Sequence, residues 1–128
     1  MSSADSAPVL SQLDAGIVAG LLIASGSFGG DGKQPQITLR MHVRHERLLT
    51  WLAECFPRTR LYGPYRHGER AYLQWMARGE ALVLDVLPVL EGAGVADLDD
   101  HASARLSAML DDYAGYIRRV QARPERLG

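Results

Sequence analysis

The stretch LDAGIVAGLLIASG, residues 13–26, decides how the rest of this chain is interpreted. Its large apolar residues recur at helical spacing, while glycine and alanine collect on a second side. Ser11 stands where an N-cap is expected, with Asp14 three residues further on. Gly26 offers the left-handed conformation that often ends a helix. The stretch therefore predicts one apolar helix with a narrow side made of small residues.

The composition is that of one ordinary globular domain, with 128 residues, 47% hydrophobic and 23% charged. A net charge of -1 excludes a protein that coats nucleic acid through bulk basicity, so any such site needs local segregation of charge. The single cysteine, Cys55, excludes an intrachain disulfide framework, and the longest apolar run is too short to span a bilayer. We expect a cytoplasmic protein with a flexible leader at 1–10, one domain at 11–122 and a flexible tail at 123–128.

Two strand signals follow the first helix. Residues 28–33 are rich in glycine and predict a short strand with a turn at Asp31-Gly32. Residues 36–43 alternate between apolar and polar side chains, which is typical of a half-buried strand. We expect its inward set to be Ile37, Leu39, Met41 and Val43.

A second helix and a hairpin come next. Residues 45–56 have a helical apolar period that Pro57 stops. Residues 58–65 and 70–76 are interpreted as strands around a turn at 66–69. For the second of these strands we favour Leu73 and Trp75 inward, although Tyr72 and Met76 inward is the alternative register.

The final third is helical. Residues 80–90 predict a third helix that Pro88 kinks or terminates, and residues 91–100 an acidic loop. A last helix begins near Asp99 or Asp100 and carries an apolar stripe as far as Val120. The predicted fold is α+β, in the order α-β-β-α-β-β-α-α, with one antiparallel sheet and helices on one of its faces.

This order, together with the motif at residues 18–26 (VAGLLIASG) and the following Ser27-Phe28, resembles the LAGLIDADG homing-endonuclease family. The similarity covers roughly residues 13–113. In that family two copies of the motif helix pack side by side, so the resemblance implies a homodimer and a roughly palindromic site. Small side chains would let the two helix backbones approach closely. The residues that the resemblance places at this dimer interface are Gly16, Ala19, Gly20, Ile23 and Ala24. The alternative is that the small residues among them pack under this chain's own sheet.

The chain departs from the family at the catalytic position. The resemblance places the metal-binding acid immediately before the final glycine of the motif, where this chain has Ser25. A neutral hydroxyl does not replace a carboxylate in holding Mg²⁺. Asp31 could substitute for the missing acid only if a mobile loop brought it closer. The resemblance also implies a basic stretch between the last two helices, but the corresponding residues 94–100 are acidic here. We therefore predict no enzymatic activity, no catalytic residue, no metal and no cofactor.

The outward face of the sheet is the DNA-reading surface in the resembled family. Arginine and glutamine side chains can bind base edges and phosphates there, although a mixed polar face is often merely solvated. We predict a duplex DNA site formed by Gln36, Thr38, Arg40, His42, Arg60, Tyr62, Arg66, Arg70, Tyr72 and Gln74.

Several functions fit these observations. The leading interpretation is a non-catalytic homodimer that binds duplex DNA, in the manner of family members that regulate transcription. A maturase-like RNA-binding protein is the alternative, because Tyr62, Tyr65 and Tyr72 could stack on unpaired bases. A protein-interaction module without nucleic-acid binding comes third, and an active endonuclease that uses a displaced acid comes last.

Overall fold

The first helix begins as its sequence predicts. In the computed structural model, which describes residues 9–123, the Ser11 hydroxyl accepts a hydrogen bond from the Asp14 backbone N–H at 3.0 Å. This bond satisfies one of the free N-terminal donors of helix α1 (Gln12–Ser25). The buried side chains of α1 are Val18, Ala19 and Leu22.

Gly26 ends α1, but not in the predicted left-handed conformation. Its φ of -75° and ψ of 149° are extended, so the chain passes directly from α1 into strand β1 (Gly26–Gly30). Glycine is required for another reason, because a Cβ here would lie 2.6 Å from the Leu22 carbonyl oxygen. Both positions are set by backbone, so no side-chain rotation relieves the clash.

Gly26→Ala is therefore expected to destabilise the fold by about 2–4 kcal/mol, the range of a strained, overpacked substitution. Gly29→Ala on the same strand is the matched control, since a Cβ at Gly29 meets nothing within 4 Å. Urea denaturation of both variants measures the difference. Equal unfolding midpoints for the two variants would contradict a steric role for Gly26.

Four antiparallel strands form one sheet in the order β1-β2-β4-β3. The remaining three are β2 (Pro35–His42), β3 (Arg60–His67) and β4 (Arg70–Arg78). Ile37 and Leu39 are fully buried on β2 and Met41 is half-buried, which confirms the predicted alternation for these three. Val43 was expected on this strand but begins the 3-10 turn that follows it. On β4, Leu73 and Trp75 are buried, so the favoured register of this strand is confirmed and the alternative is wrong.

A bulge in β3 reverses which side chains face outward along that strand. Tyr62 pairs with Gln74 and Tyr65 pairs with Tyr72, so one extra β3 residue lies between the two pairs. Gly63, next to Tyr62, has a φ of 109°, a region that other residues rarely adopt. Both tyrosines of β3 therefore lie on the same face of the sheet, although three positions separate them.

The same bulge corrects the expected position of Arg66. Arg66 pairs with Ala71, whereas His67 pairs with Arg70, so Arg66 projects to the opposite side of the sheet from Arg70. The prediction that Arg66 shares a surface with the outward residues of β2 and β4 is therefore wrong. Simple alternation from Arg60 cannot detect this reversal.

The expected disturbance at Pro88 takes the form of a π-helical segment, Ala81–Val86, rather than the end of a helix. The chain continues through the proline as α3 (Leu87–Gly92). The Leu87 N–H donates to the Leu82 carbonyl oxygen five residues back, which is the wider π spacing. Pro88 then occupies the first turn of α3, where its missing N–H interrupts little.

The other helical elements pack on the same face of the sheet as α1. They are a 3-10 turn (Val43–His45), α2 (Glu46–Cys55), α4 (Val95–Leu98), α5 (Asp100–Asp112) and α6 (Ala114–Gln121). Asp99 caps α5 by accepting a hydrogen bond from the Ala102 N–H at 2.8 Å, as predicted. Two expectations are wrong: the acidic loop contains α4, and the last helix breaks at Tyr113.

The core lies between these helices and the inner face of the sheet. Trp75 is its largest fully buried side chain, and its indole N–H donates to the Thr59 hydroxyl at 2.9 Å. Thr59 in turn donates to the Phe56 carbonyl oxygen at 2.6 Å, so this buried polar chain is satisfied. No hydrophobic side chain of the opposite face packs against this core in the described part of the chain, and that face is called the outer face below.

Within residues 9–123, no helix is both long and apolar enough to cross a membrane. The predicted leader and tail fall almost wholly outside the described residues. Leu10, at the end of the predicted leader, packs against the core.

Candidate nucleic-acid interface

The outer face is cationic and free of acids along its strands. The four strands together hold five arginines and no aspartate or glutamate. Four of these arginines occupy outward positions, and the fifth is Arg66. The predicted segregation of charge is therefore present in the fold, although the chain as a whole carries a charge of -1.

Arg40 lies at the centre of this face and is held by two neighbours. Its Nη2 donates to the Gln74 side-chain oxygen at 3.0 Å, and its guanidinium carbon lies 4.7 Å from the centre of the Tyr72 ring. The Tyr72 ring packs on Tyr65 with centroids 5.6 Å apart. An arginine fixed in this way loses little conformational freedom when it binds a phosphate or a base edge.

Cross-strand register brings most of the predicted residues together. Gln74 pairs with Arg40 on one side and Tyr62 on the other, and Tyr72 pairs with His42. His42 is partly committed, because its Nδ1 accepts a hydrogen bond from the Arg44 backbone N–H at 3.0 Å. The other predicted residues on the outer side are Gln36, Thr38, Arg60 and Arg70.

The predicted DNA site leaves out several outer-face residues, among them Tyr65, Met76 and Arg78. Tyr65 was not expected in the DNA set because the bulge at Gly63 was not recognised, although Gly-Pro inside a strand signals such an irregularity. Arg78 and Met76 extend β4 beyond the predicted interface, and Arg78 pairs with Gln36. The face is therefore larger and more aromatic than predicted.

The acids near the motif helix do not gather at its end. Ser25 is the exposed last residue of α1, and β1 leads away from it. Six steps of at most about 3.4 Å put Asp31 up to roughly 20 Å along the chain from that end. Asp31 accepts hydrogen bonds at 2.8 Å from the backbone N–H groups of Gln34 and Lys33, which hold the pKa of its carboxyl below the usual value. It is a turn residue, as its position beside Gly32 predicts.

The described residues offer little support for a metal site or a nucleophilic cysteine. No group of three His, Cys, Asp or Glu side chains within residues 9–123 is arranged to hold a metal ion. Burial raises the pKa of the Cys55 thiol, and the nearby carboxylates of Asp14 and Glu54 act in the same direction. This environment disfavours the thiolate that a nucleophilic cysteine needs.

The exposed side of α1 forms one apolar stripe. Leu13 is 74% exposed and Ile17 43% exposed, and the other exposed members of this side are Gly16, Gly20 and Ala24. Two residues of the predicted dimer interface are placed differently. Ala19 is buried in the core of its own chain, and Ile23 is half-buried against that core.

A buried ion pair that sequence reasoning missed supports the end of the sheet. Asp85, on the π-helical segment, is 1% exposed and accepts two hydrogen bonds from Arg58, at 2.8 Å to Nε and 2.6 Å to Nη2. The sequence does indicate such a pair, because Asp85 lies inside the apolar run ALVLDVL and a buried carboxylate requires a cationic or hydrogen-bonding partner.

Arg58→Ala is expected to destabilise the fold by about 2–4 kcal/mol, because it leaves the Asp85 carboxylate buried without its bidentate partner. Arg105→Ala, at an exposed position of α5, removes the same charge without this interaction and should change stability by less than about 0.5 kcal/mol. Thermal and urea unfolding measure both. Equal losses in the two variants would show that the pair contributes nothing.

Comparisons with known proteins agree with this architecture. No family model matches the chain, and no curated protein matches its sequence. The structure of the group I intron-encoded homing endonuclease I-CeuI complexed with DNA is similar, with a TM-score of 0.59 and 17% identity over 91% of this chain and 69% of that one. The homing endonuclease I-CvuI in complex with its target has a TM-score of 0.48 and 12% identity, over 64% of this chain and 57% of that one. The predicted LAGLIDADG-like fold is confirmed.

Proposed function

We propose that this chain, which has a LAGLIDADG-like fold, binds duplex DNA as a homodimer through its outer face and does not cleave it. The observation that carries the proposal is the set of four outward arginines on β2, β3 and β4, in a sheet whose four strands contain no acid. Similarity to I-CeuI, which was solved in complex with DNA, supports the same partner for this surface.

The stripe on α1 supports the dimer. Leu13 and Ile17 expose apolar surface on a helix whose Gly16 and Gly20 leave open space above the backbone. A second copy of α1 would cover these residues at close range, and twofold symmetry would pair two outer faces. The bound site would then be palindromic, with one half-site for each protomer.

Absence of cleavage rests on Ser25 and Asp31. The position where the resemblance implies a metal-binding acid is a serine, and Asp31 is committed to its turn. Incubation with Mg²⁺ or Mn²⁺ and a diverse set of duplexes should leave every duplex intact. Double-strand cuts that disappear in Asp31→Ala would overturn this part of the proposal.

The decisive experiment is selection of bound sequences from a random duplex library, combined with the solution mass of the protein. We expect an enriched palindrome, a mass of twice the 14.0 kDa chain, and an affinity that falls steeply with salt through counterion release. Absent or salt-independent binding would refute the proposed function. Binding without cleavage would suit a regulator of transcription.

Structured RNA is the second candidate partner, favoured by the pair of Tyr65 and Tyr72 rings. Tyr65 is 42% exposed, so its ring is available to stack on an unpaired base. Competition between one labelled duplex and a structured RNA of equal length separates the two candidates. Preferential displacement by RNA, abolished in Tyr65→Ala, would assign the surface to RNA.

A further inference from the structure

A second cationic feature lies at the end of the sheet, where it shares Arg60 and Tyr62 with the predicted DNA site. It is a groove of about 600 Å³ between the ends of β3 and β4 and the helical layer. Its charged lining consists of four arginines and one acid: Arg58, Arg60, Arg78, Arg123 and Glu80. Below, this feature is called the arginine groove.

Two of the four arginines are already paired. Arg58 is engaged by buried Asp85, and Arg123 forms an ion pair with Glu80. The guanidinium of Arg60 has no hydrogen bond or ion pair with another residue of the described range 9–123. Arg78 has only a long contact of 3.9 Å to Asp31, between side chains that are 52% and 37% exposed. Such an exposed pair is worth little, so Arg60 and Arg78 present positive charge that the protein itself does not neutralise.

The groove also carries neutral groups suited to an anion. Tyr62 and Tyr116 contribute hydroxyls, and Gln34 contributes an amide. Gly79 has a φ of 61°, which residues with a side chain rarely adopt. A Cβ at this position would also lie 2.8 Å from the Tyr116 hydroxyl oxygen. The glycine thus lets the Gln34 amide and the Tyr116 hydroxyl both lie close to the backbone at this position.

We propose that the arginine groove is a phosphate-binding site. A guanidinium presents paired N–H donors that match two oxygens of a phosphate, and two uncompensated guanidiniums match a doubly charged group. Carboxylate ligands would share the charge but not the number of acceptor oxygens around one centre. The lining is polar and open, as expected for a bound phosphate that keeps part of its hydration.

The groove is continuous with the outer face, which points to two possible sources of the phosphate. Arg60 pairs with Met76 at the groove, and Tyr62 pairs with Gln74, the residue that holds Arg40. A nucleic-acid backbone that follows β3 would therefore reach the groove, and this source rests on the proposed function. A free phosphorylated small molecule is the other source, and it does not.

The test uses the full chain and three variants: Arg78→Gln, the double change Arg60→Gln with Arg78→Gln, and Arg105→Gln as an exposed control of equal charge change. Each is titrated with inorganic pyrophosphate at low salt, observed through the arginine Nε–H signals in NMR spectra. Each is also titrated with the selected duplex and with the same duplex extended by six base pairs at both ends. Circular dichroism confirms that every variant is folded.

Saturable pyrophosphate binding, weakened at least tenfold in the double variant and unchanged in Arg105→Gln, supports the site with a small-molecule source. A salt slope that falls by about one in Arg78→Gln, seen only with the extended duplex, supports the site with a nucleic-acid source. If pyrophosphate does not saturate and both duplexes bind Arg78→Gln as they bind Arg105→Gln, the proposal is overturned. Pyrophosphate binding without any duplex binding would sustain the groove while refuting the proposed function.

Discussion

Gly20→Glu is expected to halve the solution mass of the protein and to abolish tight binding to a palindromic duplex. Gly20 is exposed on the apolar stripe of α1, and a Cβ there meets nothing within 4 Å inside its own chain. The fold of one protomer therefore accepts the side chain, and glutamate favours a helix over glycine by roughly 0.5–1 kcal/mol. Any large loss must come from a partner helix.

The size of the effect follows from the charge that the proposed dimer interface would have to bury. Two glutamates would face each other across the twofold axis in an apolar setting, where an unpaired charge costs several kcal/mol. A loss of about 3 kcal/mol already weakens the dimer more than a hundredfold. A monomer binds only one half-site at a time, so affinity for the palindrome falls as the dimer is lost.

The matched control is Gly115→Glu on α6, a helix away from the stripe. Its Cβ would meet Arg119 at 3.5 Å, an ordinary contact, so the same substitution is tolerated there. Light scattering after size exclusion measures the mass of wild type and both variants at several concentrations. The proposed dimer interface would be contradicted if the wild-type protein had the mass of one chain, or if Gly20→Glu remained a dimer.

Arg40→Ala is expected to weaken duplex binding by about 30- to 1000-fold. Removing one arginine interaction with a base or phosphate typically costs about 1–2 kcal/mol or more, and a twofold dimer is affected in both protomers. Arg40 is the best-positioned arginine of the outer face, because Gln74 and Tyr72 already hold it. Its contribution should therefore exceed that of an arginine that must first be ordered.

Three further variants identify the source of that loss. Arg40→Lys keeps the charge but removes the two-pronged donor, so salt dependence should persist while sequence preference weakens. Gln74→Ala frees Arg40 and should give an intermediate loss. Arg105→Ala removes a positive charge from the helical side of the molecule and should change affinity less than about threefold. Filter binding at two or more salt concentrations distinguishes these cases, and equal losses in Arg40→Ala and Arg105→Ala would argue against the outer face.

Local patterns predicted much of the architecture. Alternation predicted Ile37, Leu39 and Met41 as the inward set of β2, because a strand with one buried face must alternate. Ser11 and Asp99 predicted two helix starts, since each places an oxygen near free backbone N–H groups. The substitution at Ser25 is likewise visible without coordinates, because it concerns residue chemistry rather than position.

Several features of the candidate site could not be predicted in this way. The bulge at Gly63 moves Tyr65 onto the outer face and Arg66 off it, and no period-two pattern records an inserted residue. The burial of Ala19 depends on which side of α1 meets the sheet and which side remains exposed. The arginine groove joins residues between 34 and 123, so only folding brings its charges together.

By itself, the sequence determined the kinds and order of elements, the α+β class and the absence of a carboxylate at the end of the motif helix. These depend on neighbours along the chain, where spacing and chemical type are sufficient. Only the tertiary structure decided which arginines share a surface, which carboxylate is buried, and that Gly26 serves close backbone approach rather than a left-handed turn. Those outcomes depend on distances between residues remote in sequence, which packing alone sets.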